Sequence, residues 1–245
     1  MQNIKILLEY DGTNFQGWQK QKHTTQTVQQ QLENCLKKIN KKPVQVVGAG
    51  RTDSGVHAEG QVANFFLNIK MPVERIPLAL NSILRDDIVC KKAEKVSEDF
   101  HARFDAMGKR YRYRILNRSF HSVFTRNYVY TFYKNLNYEA MGKAAHFFQG
   151  THDFSAFQSK GSDVKNTIRT IDYIELKRKN EEIWLVVDGD GFLYNMIRII
   201  VGTLLEVGVG KLIPKKIPKI IKSGSRSQAG FTAPARGLTL VRVYY

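Results

Sequence analysis

The sequence predicts an α+β chain of two similar halves. Strand-type and helix-type patterns run strand, helix, strand, helix, strand over the first 100 residues. A strand-then-helix rhythm returns after residue 109, and two adjacent β-type runs there are spaced as a hairpin. A length of 245 residues suits one large domain or two smaller ones. The halves share too little sequence to argue a duplication.

Taken in order, Ile4 to Glu9 is a short β-type run ending at the turn signal Asp11-Gly12. A polar loop with two aromatics, Phe15 and Trp18, follows. Thr27-Val28-Gln29-Gln30 has capping-box form, and Val28, Leu32, Cys35, Leu36 and Ile39 share one helical face behind it. Asn40 and Pro43 end that helix. Val44 to Val47 reads as a strand, Gly48 to Gly60 as a glycine-rich irregular stretch, and Gln61 to Leu67 as a partly alternating strand. Pro72 to Leu84 reads as a short helix and Ile88 to Val96 as another strand.

In the second half, Lys109 to Asn117 alternates strictly. Tyr111, Tyr113 and Ile115 fall on one face, Arg110, Arg112 and Arg114 on the other. Tyr138 to Gln149 is helical, with Met141, Ala144, Ala145 and Phe148 apolar. Ile168 to Leu176 and Ile183 to Val187 form the hairpin. Phe192 to Val207 is a strongly apolar helix, and such a helix is buried. Pro214 to Lys222 is a short helix stopped at Gly224, and Thr239 to Val243 a last strand.

Composition narrows the function. A hydrophobic share of 42% is too high for a disordered chain and too low for a membrane protein. No stretch approaches the roughly 20 apolar residues a membrane helix needs, and Met1-Gln2-Asn3-Ile4-Lys5 carries no signal-peptide h-region. The expected location is intracellular, in the cytoplasm. Cys35 and Cys90 are too few and too isolated for a disulfide framework or a four-ligand zinc site, and are expected as buried thiols.

The net charge of +16, from 38 basic and 22 acidic residues, attracts polyanions, of which nucleic acid is the commonest inside cells. Ala106 to Asn137 holds seven Lys/Arg and no acid, and Val207 to Tyr245 eight more and again no acid. Solubility, or an acidic lipid surface, explains the same excess. The charge says nothing about chemistry.

The sharpest segment is Gly48-Ala49-Gly50-Arg51-Thr52-Asp53-Ser54-Gly55-Val56-His57-Ala58. It places a carboxylate on a glycine-bordered loop where a substrate can approach the backbone closely. Arg51, two residues away, can hold a phosphate or a base. Asp53-Ser54-Gly55 also reads as an ordinary surface turn. The loop lacks the third glycine of a dinucleotide fingerprint and the Gly-Lys-Ser/Thr ending of a P-loop. His57-Ala58-Glu59 matches the His-x-Glu start of zinc nucleobase deaminases, but that site needs Pro-Cys-x-x-Cys, and neither cysteine has a second one nearby. His57 and Glu59 are therefore expected in structural hydrogen bonds.

Taken whole, Gly50 to Ala58 resembles the active-site loop of the TruA family of tRNA pseudouridine synthases. Further matches follow in the family's order. Leu8-Glu9-Tyr10-Asp11-Gly12-Thr13-Asn14-Phe15-Gln16-Gly17-Trp18-Gln19 resembles its first strand and loop, and Phe100-His101-Ala102-Arg103-Phe104 its connector between halves. Lys109-Arg110-Tyr111-Arg112-Tyr113 resembles its tyrosine strand, Phe192-Leu193-Tyr194-Asn195-Met196-Ile197-Arg198 its active-site helix, and Ala233-Pro234-Ala235-Arg236-Gly237-Leu238 its C-terminal segment.

The resemblance implies two ferredoxin-like halves, 1–104 carrying the catalytic Asp loop and 105–245 carrying the tyrosine strand and buried Arg helix. They would share a continuous antiparallel sheet with the active cleft between them, in a homodimer. It implies Asp53 as the nucleophile, Tyr111 in contact with the target base, Arg198 paired with the catalytic Asp, and Arg51 helping to flip or replace the target nucleotide. The implied substrate is uridine at positions 38, 39 and 40 in the anticodon arm of tRNA, and no cofactor or metal is expected.

The apolar neighbours of Arg198, Met196, Ile197, Ile199 and Ile200, independently argue against an exposed position, and a buried guanidinium needs an anionic partner. The Arg110, Arg112 and Arg114 stripe reads equally as a solvated face or an RNA backbone track. Phe154, Phe157 and Tyr173 read as core. Two other classes compete with the isomerase: a non-catalytic tRNA-binding or chaperone module on the same fold, and a metal-dependent nuclease or deaminase. The Asp53, Arg51, Tyr111 and Arg198 set argues against the first, because binding alone needs no carboxylate in a positive cleft.

Overall fold

The computed structural model describes residues 1–68, 70–161 and 164–245. They form two compact units, Met1–Met107 with Thr239–Tyr245, and Gly108–Leu238.

In the first unit, β1 (Gln2–Tyr10) pairs antiparallel with both β3 (His57–Leu67) and β4 (Ile88–Lys95). A two-residue β2 (Val47–Gly48) adds to β3. The C-terminal β10 (Leu238–Tyr244) runs parallel to β3, with Thr239 opposite His57. The sheet order within the unit is thus β4-β1-β3-β10. Helix α1 (Val28–Asn40) starts where the cap predicts, since Thr27 Oγ1 accepts the Gln30 N–H at 3.3 Å. The box is half made: the Gln30 amide bonds Asn34 instead of reaching back. The predicted face is buried at Val28, Leu32, Cys35 and Leu36, each burial stabilising by about 1.5–3 kcal/mol for a Val- or Leu-sized side chain. Lys41 leaves the helix in the left-handed conformation. Helix α2 (Ile76–Asn81), entered through a 3-10 turn at Val73–Arg75, lies against β4.

The strand expected at Val44–Val47 is mostly absent. Val44 and Val46 are buried, but the Val46 backbone is satisfied by helix side chains: its N–H donates to Glu33 Oε1 at 3.3 Å and its C=O accepts Gln29 Nε2 at 3.1 Å. With those groups taken, no strand partner is needed. The region expected to be irregular up to Gly60 instead enters β3 at His57, where β1 and β10 supply partners.

A buried asparagine pair ties down the Phe100–Phe104 segment. Asn64 Nδ2 donates to Asn3 Oδ1 at 2.9 Å, Asn3 Nδ2 to the Ser97 and Phe100 carbonyls, and Ala102 N–H to Asn64 Oδ1. Tyr245 Oη donates to the Ala102 carbonyl at 2.7 Å.

In the second unit β5 (Gly108–Asn117), β9 (Glu182–Gly189), β8 (Ile168–Lys179) and β7 (Gly150–Asp153) pair antiparallel in that order, and β6 (Tyr130–Phe132) joins β5 in parallel. Helices α3 (Tyr138–His146) and α4 (Met196–Gly208) pack on each other, and α5 (Ile217–Ser223) ends at Gly224 in the left-handed conformation. As the apolar run predicts, α4 is buried nearly throughout. It starts at Met196 rather than Phe192, because Asn195 precedes it with φ of 62° and breaks the helical path.

The expected halves meet at 104/105. The first unit runs to Met107, and Thr239–Tyr245 returns to it by pairing with β3. No helix among the described residues is long and apolar enough to cross a membrane.

Candidate active site

In the first unit the loop from Gly50 to Val56 is braced from below. Thr52 is buried and its Oγ1 lies 2.8 Å from Tyr10 Oη. Gln61 Nε2 reaches the Tyr10 hydroxyl at 3.5 Å and donates to the Gly50 carbonyl at 3.0 Å. Burial pushes the Tyr10 hydroxyl up to about 12, the Thr52 and Gln61 bonds pulling weakly the other way.

The polar loop after β1 closes on the same segment from the side. Trp18 N–H donates to the Thr52 carbonyl at 3.1 Å, and Gly55 N–H and Ser54 Oγ both donate to the Phe15 carbonyl. Gly17, at φ +88°, permits this approach: a Cβ there would stand 2.6 Å from the Thr52 oxygen. Asp53 therefore sits half-buried on a segment whose neighbours are tethered at Thr52, Ser54 and Gly55, and its own carbonyl accepts the Val56 N–H. Arg51, on the same loop, is exposed.

His57 is buried in this framework. Its Nδ1 accepts the Gly12 N–H at 3.0 Å. An Asp11 carboxylate oxygen lies 3.1 Å from the same Nδ1. This is the structural role expected of His57. Among the described residues, no three His, Cys, Asp or Glu side chains are grouped to hold a metal ion. Cys35 and Cys90 are buried thiols, and burial raises both pKa values.

In the second unit Tyr111 lies on β5, buried, with the Phe192 ring edge-on at 5.3 Å between centroids. Two residues on, Tyr113 Oη donates to the Pro234 carbonyl at 2.7 Å. Burial holds the Tyr113 hydroxyl far above its ordinary range, against the opposing charge of Arg198. Arg198, half-buried on the first turn of α4, is clamped. Its Nε donates to the Ala233 carbonyl at 2.7 Å, its Nη1 to Asn195 Oδ1 at 2.6 Å, and its own carbonyl accepts the Ala233 N–H.

The strap from Gly230 to Ala233 that Arg198 grips lies directly on α4. Gly230 N–H donates to Thr203 Oγ1 at 2.9 Å, and a Cβ at Gly202 would penetrate the Phe231 carbonyl. Asn195 serves twice, its Nδ2 also donating to Ser159 Oγ. The left-handed backbone that delays the helix thus aims the amide at Arg198.

Asp53 and Arg51 thus share one loop of the first unit, and Tyr111 and Arg198 stand on β5 and α4 of the second. Tyr10, Thr52 and Asn195 lie in the segments quoted from the sequence, and Gln61 at the start of a strand read there, but the sequence reading gave none of them a role. Tyr10, Thr52 and Gln61 are separated in the chain, and Asn195 carries no signal before its φ is known.

The arginine stripe on β5 is largely a cross-strand ladder. Arg110 binds Asp188 through two bonds of 2.7 and 2.6 Å, and Arg114 binds Glu182 through bonds of 2.9 and 2.8 Å. Arg112, Arg114 and Lys179 all lie over the Trp184 ring. Two of the three arginines thus already hold carboxylates, which favours the solvated-face reading. Phe154 and Phe157 are fully buried, and Tyr173 is half-exposed.

Comparison with known proteins adds to this geometry. The sequence model of a family described as tRNA pseudouridine synthase matches residues 6–105 and 144–245. A protein of Acetivibrio thermocellus named tRNA pseudouridine synthase A is 53% identical over 245 residues, covering all of both chains. Proteins of the same name from Thermoanaerobacter pseudethanolicus and Clostridium acetobutylicum are each 49% identical, again over the whole of both chains.

Proposed function

Because the chain belongs to the tRNA pseudouridine synthase family, we propose that it isomerises uridine to pseudouridine in the anticodon arm of tRNA, at positions 38, 39 and 40, with Asp53 as the nucleophile. The observation that carries this reading is the Asp53 loop, an acid half-buried beside an exposed arginine on a segment tethered at nearly every neighbouring residue. A surface turn needs no such bracing; a reacting group does, since a misplacement of about 1 Å can cost two orders of magnitude in rate.

The reaction breaks the N1–C1′ bond, turns the uracil and joins C5 to C1′; C5 loses its proton and N1 gains one. Nothing is oxidised or hydrolysed. An ionised carboxylate suits this task by attacking the sugar carbon, by attacking C6 of the base, or by assisting elimination. The detached base must stay while it turns, which calls for a dry pocket with an aromatic wall. Tyr111, buried against Phe192, is suited to be that wall. In this reading Arg198, held in place by Ala233 and Asn195, is the fixed cation that serves the catalytic carboxylate. Arg51 takes the place of the extruded nucleotide, whose unstacking costs a few kcal/mol. The acid-free basic stretches offset that cost through phosphate contacts. The reading extends to two ferredoxin-like halves, a homodimer and a cytoplasmic location.

The test is tritium release from unmodified tRNA labelled at C5 of uridine, comparing the natural chain with Asp53→Asn, both in chelator. C5–H exchange is obligatory for the isomerisation. Release by the natural chain alone is the expected result. Release by both variants removes Asp53 from the chemistry, and release by neither, with tRNA still bound, makes the protein a binding module.

A further inference from the structure

The segment between β5 and β6 carries aromatic side chains outward. Phe120 is 60% exposed, Phe124 90%, and Tyr133, just past β6, 61%. Val123 and Tyr128 are exposed as well. Single exposed apolar residues need no explanation, but several large ones in fourteen residues do.

The segment holding them is ordered by its own polar groups. Arg118 Nε donates to the Phe120 carbonyl at 2.9 Å, Nη2 to the His121 carbonyl at 3.4 Å, and Nη1 to Glu181 at 2.9 Å. Its guanidinium also lies 4.3 Å from the Phe120 ring centre. Ser122 Oγ accepts the Thr125 N–H, the Thr125 carbonyl accepts the N–H groups of Tyr128 and Val129, and Arg126 bonds the Val123 carbonyl. Asn117 Nδ2 fixes the far end through the Phe132 and Lys134 carbonyls. The rings are thus held out on a built loop, with little ordering left to be done on binding.

Charge identifies what such a surface takes. Exposed Arg126 and Lys134 lie two residues after Phe124 and next to Tyr133 in the chain, and the stretch from Ala106 to Asn137 has no acid. A second copy docking through the same patch about a two-fold axis would set these cations against their own images. An RNA meets both features, since unpaired bases stack on aromatic faces while phosphates meet the cations.

We propose that residues 118–134 form an RNA-docking element, separate from Asp53, Arg51, Tyr111 and Arg198, that stacks unpaired bases of the tRNA substrate on Phe120 and Phe124 and takes neighbouring phosphates with Arg126 and Lys134. This rests on the reading of the chain as a tRNA-modifying enzyme, but its test needs no turnover.

Unmodified tRNA transcript is titrated against the natural protein, Phe120→Ala, Phe124→Ala and the Arg126→Gln/Lys134→Gln pair at several salt concentrations. Each Phe variant should bind about tenfold more weakly, stacking being worth roughly 1–3 kcal/mol per base, with the salt slope unchanged. The basic pair should lower the slope by about two. A fully paired RNA duplex should not distinguish the Phe variants from the natural chain. Equal thermal melts and equal mass by light scattering confirm that fold and assembly are intact. Natural affinity in both Phe variants overturns the proposal, as does weakened binding that merely follows a change in oligomeric mass, which would assign the patch to contacts between copies. Failure of the tritium assay alongside Phe-dependent binding would refute the isomerase reading and leave the docking element standing.

Discussion

Replacing Tyr10 with phenylalanine removes one oxygen from beneath the Asp53 loop. The lost bonds are the 2.8 Å contact with Thr52 Oγ1 and the longer one from Gln61 at 3.5 Å. Thr52 is buried, so its hydroxyl is left without that partner, at a cost of about 1–2 kcal/mol in stability near pH 7. The pH dependence sharpens the test. Burial raises the Tyr10 hydroxyl from 10.0 to about 12. The unfolded chain therefore ionises first, and the contribution of this group is complete below pH 10 and lost as pH rises toward 12. The natural chain should lose about 1 kcal/mol from this source by pH 11 and about 2 by pH 12, a loss Tyr10→Phe cannot suffer. The stability gap between the two proteins should close near pH 11 to 12. Urea titrations at pH 7, 10 and 11 measure it. A gap that stays constant across that range would refute the assignment of Tyr10 as a buried neutral hydroxyl at the base of the loop. Tritium release at pH 7 should fall as well, by roughly tenfold, because Thr52 adjoins Asp53.

Gly202→Ala drives a methyl group into the Phe231 carbonyl. Helix and strap must separate by about 1.5 Å to restore ordinary contact, at about 1–3 kcal/mol or more, and the apparent Tm should drop by roughly 3–10 °C; a melt equal to the natural one would show that the strap does not rest on α4. Asn195→Gly keeps a residue comfortable at φ of 62° but deletes the bonds to Arg198 and Ser159. Here the melt should change little while kcat falls about tenfold at unchanged KM for tRNA; an unchanged kcat removes Asn195 from positioning Arg198. Asn195→Ala should add about 1 kcal/mol of backbone strain to the same kinetic defect, read by comparing the two melts.

What the sequence made legible was local. Thr27 and the spacing of Val28, Leu32, Cys35 and Leu36 located α1 to the residue, because a cap and a 3.6-residue period are properties of neighbours. The alternation of Tyr111, Tyr113 and Ile115 located β5 and its buried face in the same way. What stayed hidden depends on distant partners. Val46 reads as a strand residue, yet Gln29 and Glu33 take its backbone groups. The strands β6 and β7, of three and four residues, are too short to show a period of two. In the candidate site the Asp53 loop stood out for its bordering glycines, but those residues read equally as a surface turn, and its catalytic role came only from the family resemblance. The grip of Arg198 on Ala233 spans thirty-five positions and leaves no trace in either segment.

The parallel pairing of β10 with β3 also bears on how the molecule is made. The second unit is one uninterrupted length of chain and can close as soon as it has been synthesised, whereas the first waits for a strand encoded some 180 residues after the one it joins. During translation the unit that begins first should therefore finish last. Until then the flank of β3 around His57, at the foot of the Asp53 loop, lacks a neighbour, and an unpaired strand edge is where nascent chains go astray. Chaperone capture and early aggregation should accordingly concentrate on the amino-terminal unit.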